Sequence, residues 1–434
     1  MTPHSIGILG ILLLFLLMFI IGMPVAFAMM VSGFLGYWAI LNINAAYTML
    51  GTELWETLSS YGLTIIPLFV FMGQIAFRSG ISKKLYDAAY AWLGAVKGGL
   101  AMSTIMSCSA FSAICGSNAA TAATMMLVAM PEMDKYKYNP ILSTGSIACG
   151  STLGVVIPPS VVLIVIGLST GLPISKLFYG SIAAGVLMTL LFLVTIYILC
   201  SIRPSWAPKA AATSLSEKIH TLPGILDILI LFTTIMAGLY FGIFSPVEAG
   251  AVGAAGAIIL GTIRKSFTLK AFYEAVADTL KISCMVISIV AGAVIFGKFL
   301  ALTRIPFDIA SWVSSLPLSN LWIIATILLV CTVGGAFMDS LALLLIVIPV
   351  FFPISASMGY DPIWFSIVLT VVTTLGAVTP PVGATAYVVA GMAHHISLKD
   401  IFKGIAFFIP SYVVCIGILM LFPKIITVLP NLAR

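Results

Sequence analysis

Three stretches of this chain run far beyond the length of one membrane crossing without a charged side chain: Gly98 to Pro131, Tyr138 to Ser175, and Pro362 to Leu398. A helix needs only about twenty apolar residues to cross the hydrocarbon core. Each stretch also carries a helix breaker near its middle. The first centres on the turn sequence Cys115-Gly116-Ser117-Asn118, flanked by hydroxyls from Ser103 to Thr124. The other two centre on Gly154-Val-Val-Ile-Pro158-Pro159-Ser160 and Gly376-Ala-Val-Thr-Pro380-Pro381. Paired prolines cannot continue a helix, because each lacks an N–H and clashes with the preceding turn. The first stretch therefore reads as a re-entrant hairpin with a polar tip at mid-depth. The other two read as helices broken near the membrane centre. Irregular backbone survives there only where protein or water surrounds it.

The rest of the chain fits that reading. Of 434 residues, 61% are hydrophobic and 8% charged, against roughly a quarter charged in soluble domains. Despite a formal net charge of +6, a soluble enzyme, a disordered chain and a nucleic-acid binder are excluded. Long continuous apolar runs also exclude a transmembrane barrel. The fold class is an all-α polytopic membrane protein, a single permease over 1–434.

Ordinary spans are expected near Ile6–Gly22, Pro24–Leu41, Leu63–Phe77, Leu177–Ile202, Pro223–Ile243, Pro246–Ile263, Ile282–Leu302 and Leu318–Val333. A last span after Lys403 is interrupted by Pro410, and a short amphipathic piece containing Lys83, Lys84 and Asp87 should lie at the interface. The longest water-compatible stretch, about 203–222, is too short for a domain. No G-x-x-x-x-G-K-S/T phosphate loop is present, so an ATP-driven pump would need a separate engine. Arg203, Lys209 and Lys218 make 203–222 the best candidate cytoplasmic loop, although Arg264, Lys265 and Lys270 form a second basic cluster. The seven cysteines lie in apolar segments without C-x-x-C spacing and read as small buried residues. No basic region precedes the first apolar run, so a cleaved signal peptide is not expected.

The two proline breaks are related by one constant, gap-free shift along the chain. It places Gly154 on Gly376, Pro158-Pro159 on Pro380-Pro381, Pro131 on Pro353, Tyr138 on Tyr360 and Pro140 on Pro362. It also places Pro24-Val25 on Pro246-Val247 and Ile174-Ser175 on Ile396-Ser397. Two homologous halves follow, 1–210 and 223–434, joined by 203–222. The first has its hairpin at about 98–131 and its broken helix at 138–175. In the same register Ser117-Asn118 falls on Asp339-Ser340, which predicts a second hairpin at about 319–353 beside the broken helix at 362–398. Paired discontinuous helices point to a secondary transporter, since they offer unpaired carbonyls to cations and amide N–H groups to anions at mid-depth. An intramembrane enzyme is disfavoured: neither H-E-x-x-H nor G-x-S-x-G occurs, and acidic residues are few.

At these same residues the sequence resembles the large membrane subunit of TRAP (tripartite ATP-independent periplasmic) transporters. The matching stretches are Ser112-Ala-Ile-Cys-Gly-Ser-Asn-Ala-Ala-Thr-Ala-Ala123, Gly154-Val-Val-Ile-Pro-Pro-Ser160, Phe244-Ser-Pro-Val-Glu-Ala-Gly-Ala251, Phe337-Met-Asp339, Pro349 with Pro353-Ile, and Thr379-Pro-Pro-Val-Gly383. Order and spacing agree over essentially the whole chain. Cys115, in an otherwise serine-rich tip, departs from the pattern, which matters little if that position acts through its carbonyl.

The resemblance implies inverted repeats and an elevator, in which a scaffold stays fixed while a transport domain of hairpins and broken helices moves. It implies sodium-coupled import of a small organic anion, carboxylate or sulfonate, across the bacterial inner membrane. A periplasmic substrate-binding protein would deliver the anion, and a small membrane subunit, expected as a separate chain, would complete the permease. The remaining contacts are membrane lipid. A stand-alone sodium/anion symporter or exchanger of the same architecture is the alternative. Ser112, Cys115, Gly154, Ile157 and Pro159 match the first sodium site, mostly through backbone oxygens, with Asn118 at the tip. By the repeat, Gly335, Gly376, Thr379 and Val382 match the second, with Asp339. Substrate contacts are expected from Ser117, Asn118 and Ser340 at the tips and from Pro158, Ser160, Pro380 and Thr385 at the breaks.

Asp339 is the sharpest of these, because an ionisable residue at mid-membrane costs at least about 2.5–3.5 kcal/mol on insertion scales and normally has a partner. A carboxylate facing an anion would repel it, which favours an ion-binding or structural role. Glu248 reads as a first-turn acid favouring the helix dipole. His394-His395 reads as an inert interfacial pair, and most of the seven tryptophans read as interfacial anchors.

Overall fold

The computed structural model describes residues 2–208, 215–264, 267–315, 317 and 319–432. Lys209, Lys265 and Leu318, used above to place loops and a span, lie outside them. Every regular element among the described residues is helical, and eight helices are long and apolar enough to cross a membrane. The protein is a multi-pass membrane protein.

The first half holds α1 (Pro3–Phe19), α2 (Val25–Ile40), α3 (Ile43–Leu58), α4 (Ile65–Arg78) and α5 (Ile81–Leu93). A hairpin follows, α6 (Gly99–Cys115) and α7 (Asn118–Lys135), then α8 (Pro140–Ser151), α9 (Leu153–Val156), α10 (Val161–Thr170) and α11 (Ile174–Ile202). The second half opens with α12 (Leu215–Tyr240), α13 (Pro246–Ile263), α14 (Leu269–Thr303) and α15 (Ile305–Ser315). Its hairpin is α16 (Asn320–Gly335) and α17 (Ser340–Ser357), followed by α18 (Pro362–Gly376), α19 (Ala384–Met392), α20 (Leu398–Ala406), α21 (Ile409–Leu421) and α22 (Lys424–Leu432). The register that superimposes the proline pairs also superimposes α7 on α17 at both ends, and the start of α8 on the start of α18.

Local chemistry explains these starts. Pro140 and Pro362 occupy first turns, where a missing N–H is harmless. Asn139 accepts from the Ile141 N–H at 2.9 Å, and Asp361 accepts from the N–H groups of Ile363 and Trp364 at 2.8 and 3.0 Å. Each such cap is worth about 1 kcal/mol. Ser245 and Glu248 form a reciprocal capping box on α13, with Ser245 N–H donating to Glu248 Oε2 at 2.7 Å and Glu248 N–H to Ser245 Oγ at 3.3 Å. That accounts for Glu248 as a structural acid.

The helices sort into two groups. In the outer group α14 packs on α1, α2, α3 and α4, while α13 packs on α4 and α12; α5 and α15 bridge to the hairpins, packing on α6 and α17. The inner group holds the hairpins and broken helices, packed on one another and on α11, α20 and α21. The α8–α10 segment is almost wholly enclosed. Reciprocal contacts tie the halves together inside: α7 packs on α19, and α17 packs on α10.

Two features differ from the sequence reading, and a segment it left unassigned, the one holding Glu53 and Glu56, is a helix, α3. Helix α12 starts at Leu215, inside the expected loop. Helix α14 begins at Leu269 and not near Ile282, taking Glu274 and Asp278 into the helix. Those acids did not end it because they are paired: the Arg78 guanidinium forks between Glu274 and Asp278, one turn apart. Similarly Arg264 reaches Asp227 at 2.8 Å and Lys298 reaches Glu53 at 2.8 Å. Arg78→Met should lower the thermal midpoint through a loss of about 1–2 kcal/mol, between the values of exposed and buried pairs. Arg78→Lys should recover only part, since a shorter, strongly hydrated ammonium lacks the planar two-armed geometry of the guanidinium. Unchanged midpoints in both variants would show the pair to be energetically idle.

Candidate functional site

In the first half, hairpin tip and helix break interlock. Gly116 ends α6 with φ +62, in the left-handed region that glycine enters without strain. A Cβ there would come within 2.7 Å of the Pro159 carbonyl oxygen, and one on Gly154 within 2.7 Å of the Ser117 carbonyl oxygen. The double proline then acts on the carbonyls. Pro158 and Pro159 have no N–H, so the carbonyls of Gly154 and Val155 lose their i+4 donors. Their neighbours are taken: Leu153 O accepts from Ile157 N–H at 2.8 Å, and Val156 O from the Ser181 hydroxyl. The Ser112 hydroxyl donates to Cys108 O at 2.6 Å, while the Ser112 carbonyl accepts from Gly116 N–H at 3.3 Å. The Cys115 carbonyl lies against Gly73 of α4. Every residue from Ser151 to Ser160 is buried, and the Ser160 hydroxyl, at the start of α10, has no partner.

The second half repeats the close approach but stays open. A Cβ on Gly376 would lie 2.6 Å from Gly335 Cα and 2.8 Å from Thr332 O. The Ala336 carbonyl accepts from the N–H groups of Val382 and Gly383 at 3.0 and 3.3 Å. The Thr379 N–H donates to Gly376 O at 2.9 Å, and its hydroxyl to Leu375 O at 2.7 Å. Pro380 and Pro381 are both exposed, Val382 is 37% and Phe337 44% exposed. One break is sealed and the other accessible.

Both tips reach one cavity of about 120 Å³. Cys115, Ser117 and Asn118 line it from the first half, Asp339 and Ser340 from the second. Ser117 caps α7, its carbonyl also accepting from the Thr121 hydroxyl at 2.8 Å. Asn118 Nδ2 donates to Thr385 Oγ1 at 3.2 Å, joining the first tip to the second broken helix. Asp339 caps α17 by accepting from Leu341 N–H at 3.0 Å, and Ser340 donates to Thr373 O at 3.2 Å. Ser112, Gly154, Ile157, Pro159, Gly335, Gly376, Thr379 and Val382 lie behind the tips, as do Pro158, Ser160, Pro380 and Thr385, none of them on the cavity wall.

The cavity wall is made of helix starts. Asn118, Ala119 and Ala120 open α7, Ser340 and Leu341 open α17, and Val161 and Val162 open α10. Each helix N-terminus carries the equivalent of roughly half a positive charge, while Asn118, Ser117 and Asp339 already accept from the N–H groups of Ala119, Ala120 and Leu341. Among the described residues no lysine, arginine or histidine lines the cavity. The outer group closes it with α4 and α14, and there Gln74 is the wall's one polar side chain. Sequence reasoning passed over Gln74, although an amide inside an otherwise apolar span was the signal to follow.

Other candidates lie elsewhere. His395 Nε2 is 3.9 Å from Asp134 on an exposed edge. Trp364 is not interfacial: it is 1% exposed and donates through Nε1 to Leu419 O at 2.8 Å. Six cysteines are buried and free, but Cys284 faces outward.

Residues 12–425 match the family described as tripartite ATP-independent periplasmic transporter, DctM component. The chain is similar to the C4-dicarboxylate TRAP transporter large permease protein DctM of Pseudomonas aeruginosa, at 33% identity over 79% of this chain and 80% of that protein. It is also similar to the isethionate TRAP transporter permease protein DctMQ of Oleidesulfovibrio alaskensis, at 31% identity over 88% of this chain and 60% of that longer protein. In fold it is similar to the solved YdaH transporter of Alcanivorax borkumensis, with a TM-score of 0.65 at 15% identity over 89% of this chain and 91% of that one.

Proposed function

Because the chain belongs to the DctM component family of TRAP transporters, we propose that it imports a small organic anion by sodium-coupled secondary transport. The anion is a carboxylate or sulfonate, handed over by a periplasmic binding protein at the bacterial inner membrane, and a small membrane subunit on a separate chain completes the permease. The observation that carries this reading is the convergence of three helix N-termini on one cavity without a basic side chain. Such a wall attracts a negative group through the helix dipoles and the first-turn N–H groups that the caps leave. Its volume of about 120 Å³ is small beside the 300–1,000 Å³ or so of drug-sized sites, which favours compact anions. C4-dicarboxylate and isethionate, named for the relatives, are of that kind.

Sodium, a hard cation, suits the oxygens behind the tips. In the first half the carbonyls of Ser112, Cys115, Gly154, Ile157 and Pro159 would hold one ion. In the second, oxygens of Gly335, Gly376, Thr379 and Val382 would hold another, with Asp339 adjacent. The reciprocal packing of α7 on α19 and α17 on α10 supports inverted repeats. An elevator would move the enclosed hairpins and broken helices against a scaffold drawn from α1–α4 and α12–α14, across the seam where α4 and α14 pack on α6 and α17.

Uptake into proteoliposomes carrying both membrane subunits and the cognate binding protein tests the reading. Uptake should vanish in potassium buffer and show a Hill coefficient for sodium above one. Equal uptake on a proton gradient without sodium would overturn it.

A further inference from the structure

Gln74 is 9% exposed and lines the cavity, and its side chain makes no hydrogen bond to any described residue. Its amide is reached from the cavity, where water can serve it. An occupant that displaces such water must replace its hydrogen bonds. Around Gln74 the outer wall is apolar: Val70 and Gly73 on α4, and Ile282, Met285 and Val286 on α14. The starts of α7, α10 and α17 line the same cavity. An occupant therefore meets helix starts and, on an apolar surface, a single amide.

We infer that Gln74 sets substrate specificity by hydrogen-bonding the distal polar group of a small anion whose charged head sits at the three helix starts. The inference rests on the anion reading above. An amide offers both a donor and an acceptor, so it accommodates a second carboxylate or a hydroxyl at the far end. It leaves a plain alkyl end with a polar group unpaired behind it, which is how buried amides discriminate. Because Gln74 rides on α4, which packs on α13 and α14, the contact holds only while the inner group occupies its present position.

The test uses the full chain purified with its small membrane subunit, in saturating sodium. Affinities come from thermal-shift titrations with two pairs of anions, succinate against butyrate and isethionate against ethanesulfonate. In the wild type, the member with the distal polar group of at least one pair should bind tighter, roughly three- to tenfold for the neutral hydroxyl of isethionate and about tenfold or more for the charged carboxylate of succinate. Gln74→Met, close in volume, should erase that preference while leaving the truncated analogue and half-saturating sodium unchanged. Gln74→Asn, one methylene shorter, should fold alike and recover part of the preference if Gln74→Met proves unstable. Wild-type preference retained in Gln74→Met, or lost equally for both members of each pair, would overturn the inference alone. Failure of all four anions to bind the wild type would overturn the anion reading, and this inference with it.

Discussion

Gly376→Ala should reduce sodium-driven uptake at sub-saturating sodium at least about tenfold, with a lower thermal midpoint. The added methyl would sit 2.6 Å from Gly335 Cα and 2.8 Å from Thr332 O, and both are backbone atoms that cannot rotate away. Overpacking of this kind typically costs about 1–3 kcal/mol, more than the roughly 1 kcal/mol that alanine gains over glycine in a helix. Helices α16 and α18 must part, and the oxygens of Gly335, Gly376 and Thr379 part with them. A graded partner makes the argument specific. A Cβ on Gly335 meets Gly376 Cα at 3.0 Å and Thr373 O at 3.3 Å, so Gly335→Ala should do the same damage to a smaller degree. Gly391, where a Cβ meets nothing within 4 Å, should tolerate alanine. A wild-type sodium curve in folded Gly376→Ala would show that the second break holds no coupling ion.

The breaks were legible in the sequence because their cause is local. Pro158-Pro159 and Pro380-Pro381 remove N–H donors wherever they occur, so the interruptions, the adjacent tips and the register between the halves needed no tertiary information. The capped starts at Asn139 and Asp361 belong to the same class of signal. What could not be read was the meeting of distant parts. Asn118 and Thr385 are 267 residues apart, and no periodicity announces their hydrogen bond. The acids of α14 looked like the end of a span because Arg78, which neutralises them, belongs to another helix. Burial was equally hidden. The two breaks have the same proline pair, yet one is sealed by its tip and the other lies open. That asymmetry comes from packing around Gly116 and Gly154 on one side and from the exposed Phe337 and Val382 on the other.

Asp339→Asn should raise half-saturating sodium roughly tenfold to a hundredfold, the effect of losing one charge-assisted contact of about 1.5–3 kcal/mol. Asp339 has two tasks that the substitution separates. As the cap of α17 it accepts from Leu341 N–H at 3.0 Å, which an asparagine oxygen does equally well, so the helix start should survive. As a carboxylate on the cavity wall it has no ion pair among the described residues. On the proposed function, a transported cation behind the tip would satisfy both the carboxylate and the anion it would otherwise repel. Titrating sodium and substrate separately on the same folded mutant tells the roles apart. A shifted sodium curve with unchanged substrate preference marks ion coupling. Altered preference at saturating sodium marks direct substrate contact. If neither curve moves, the carboxylate is a cap alone, and the charge at the second tip has no part in coupling.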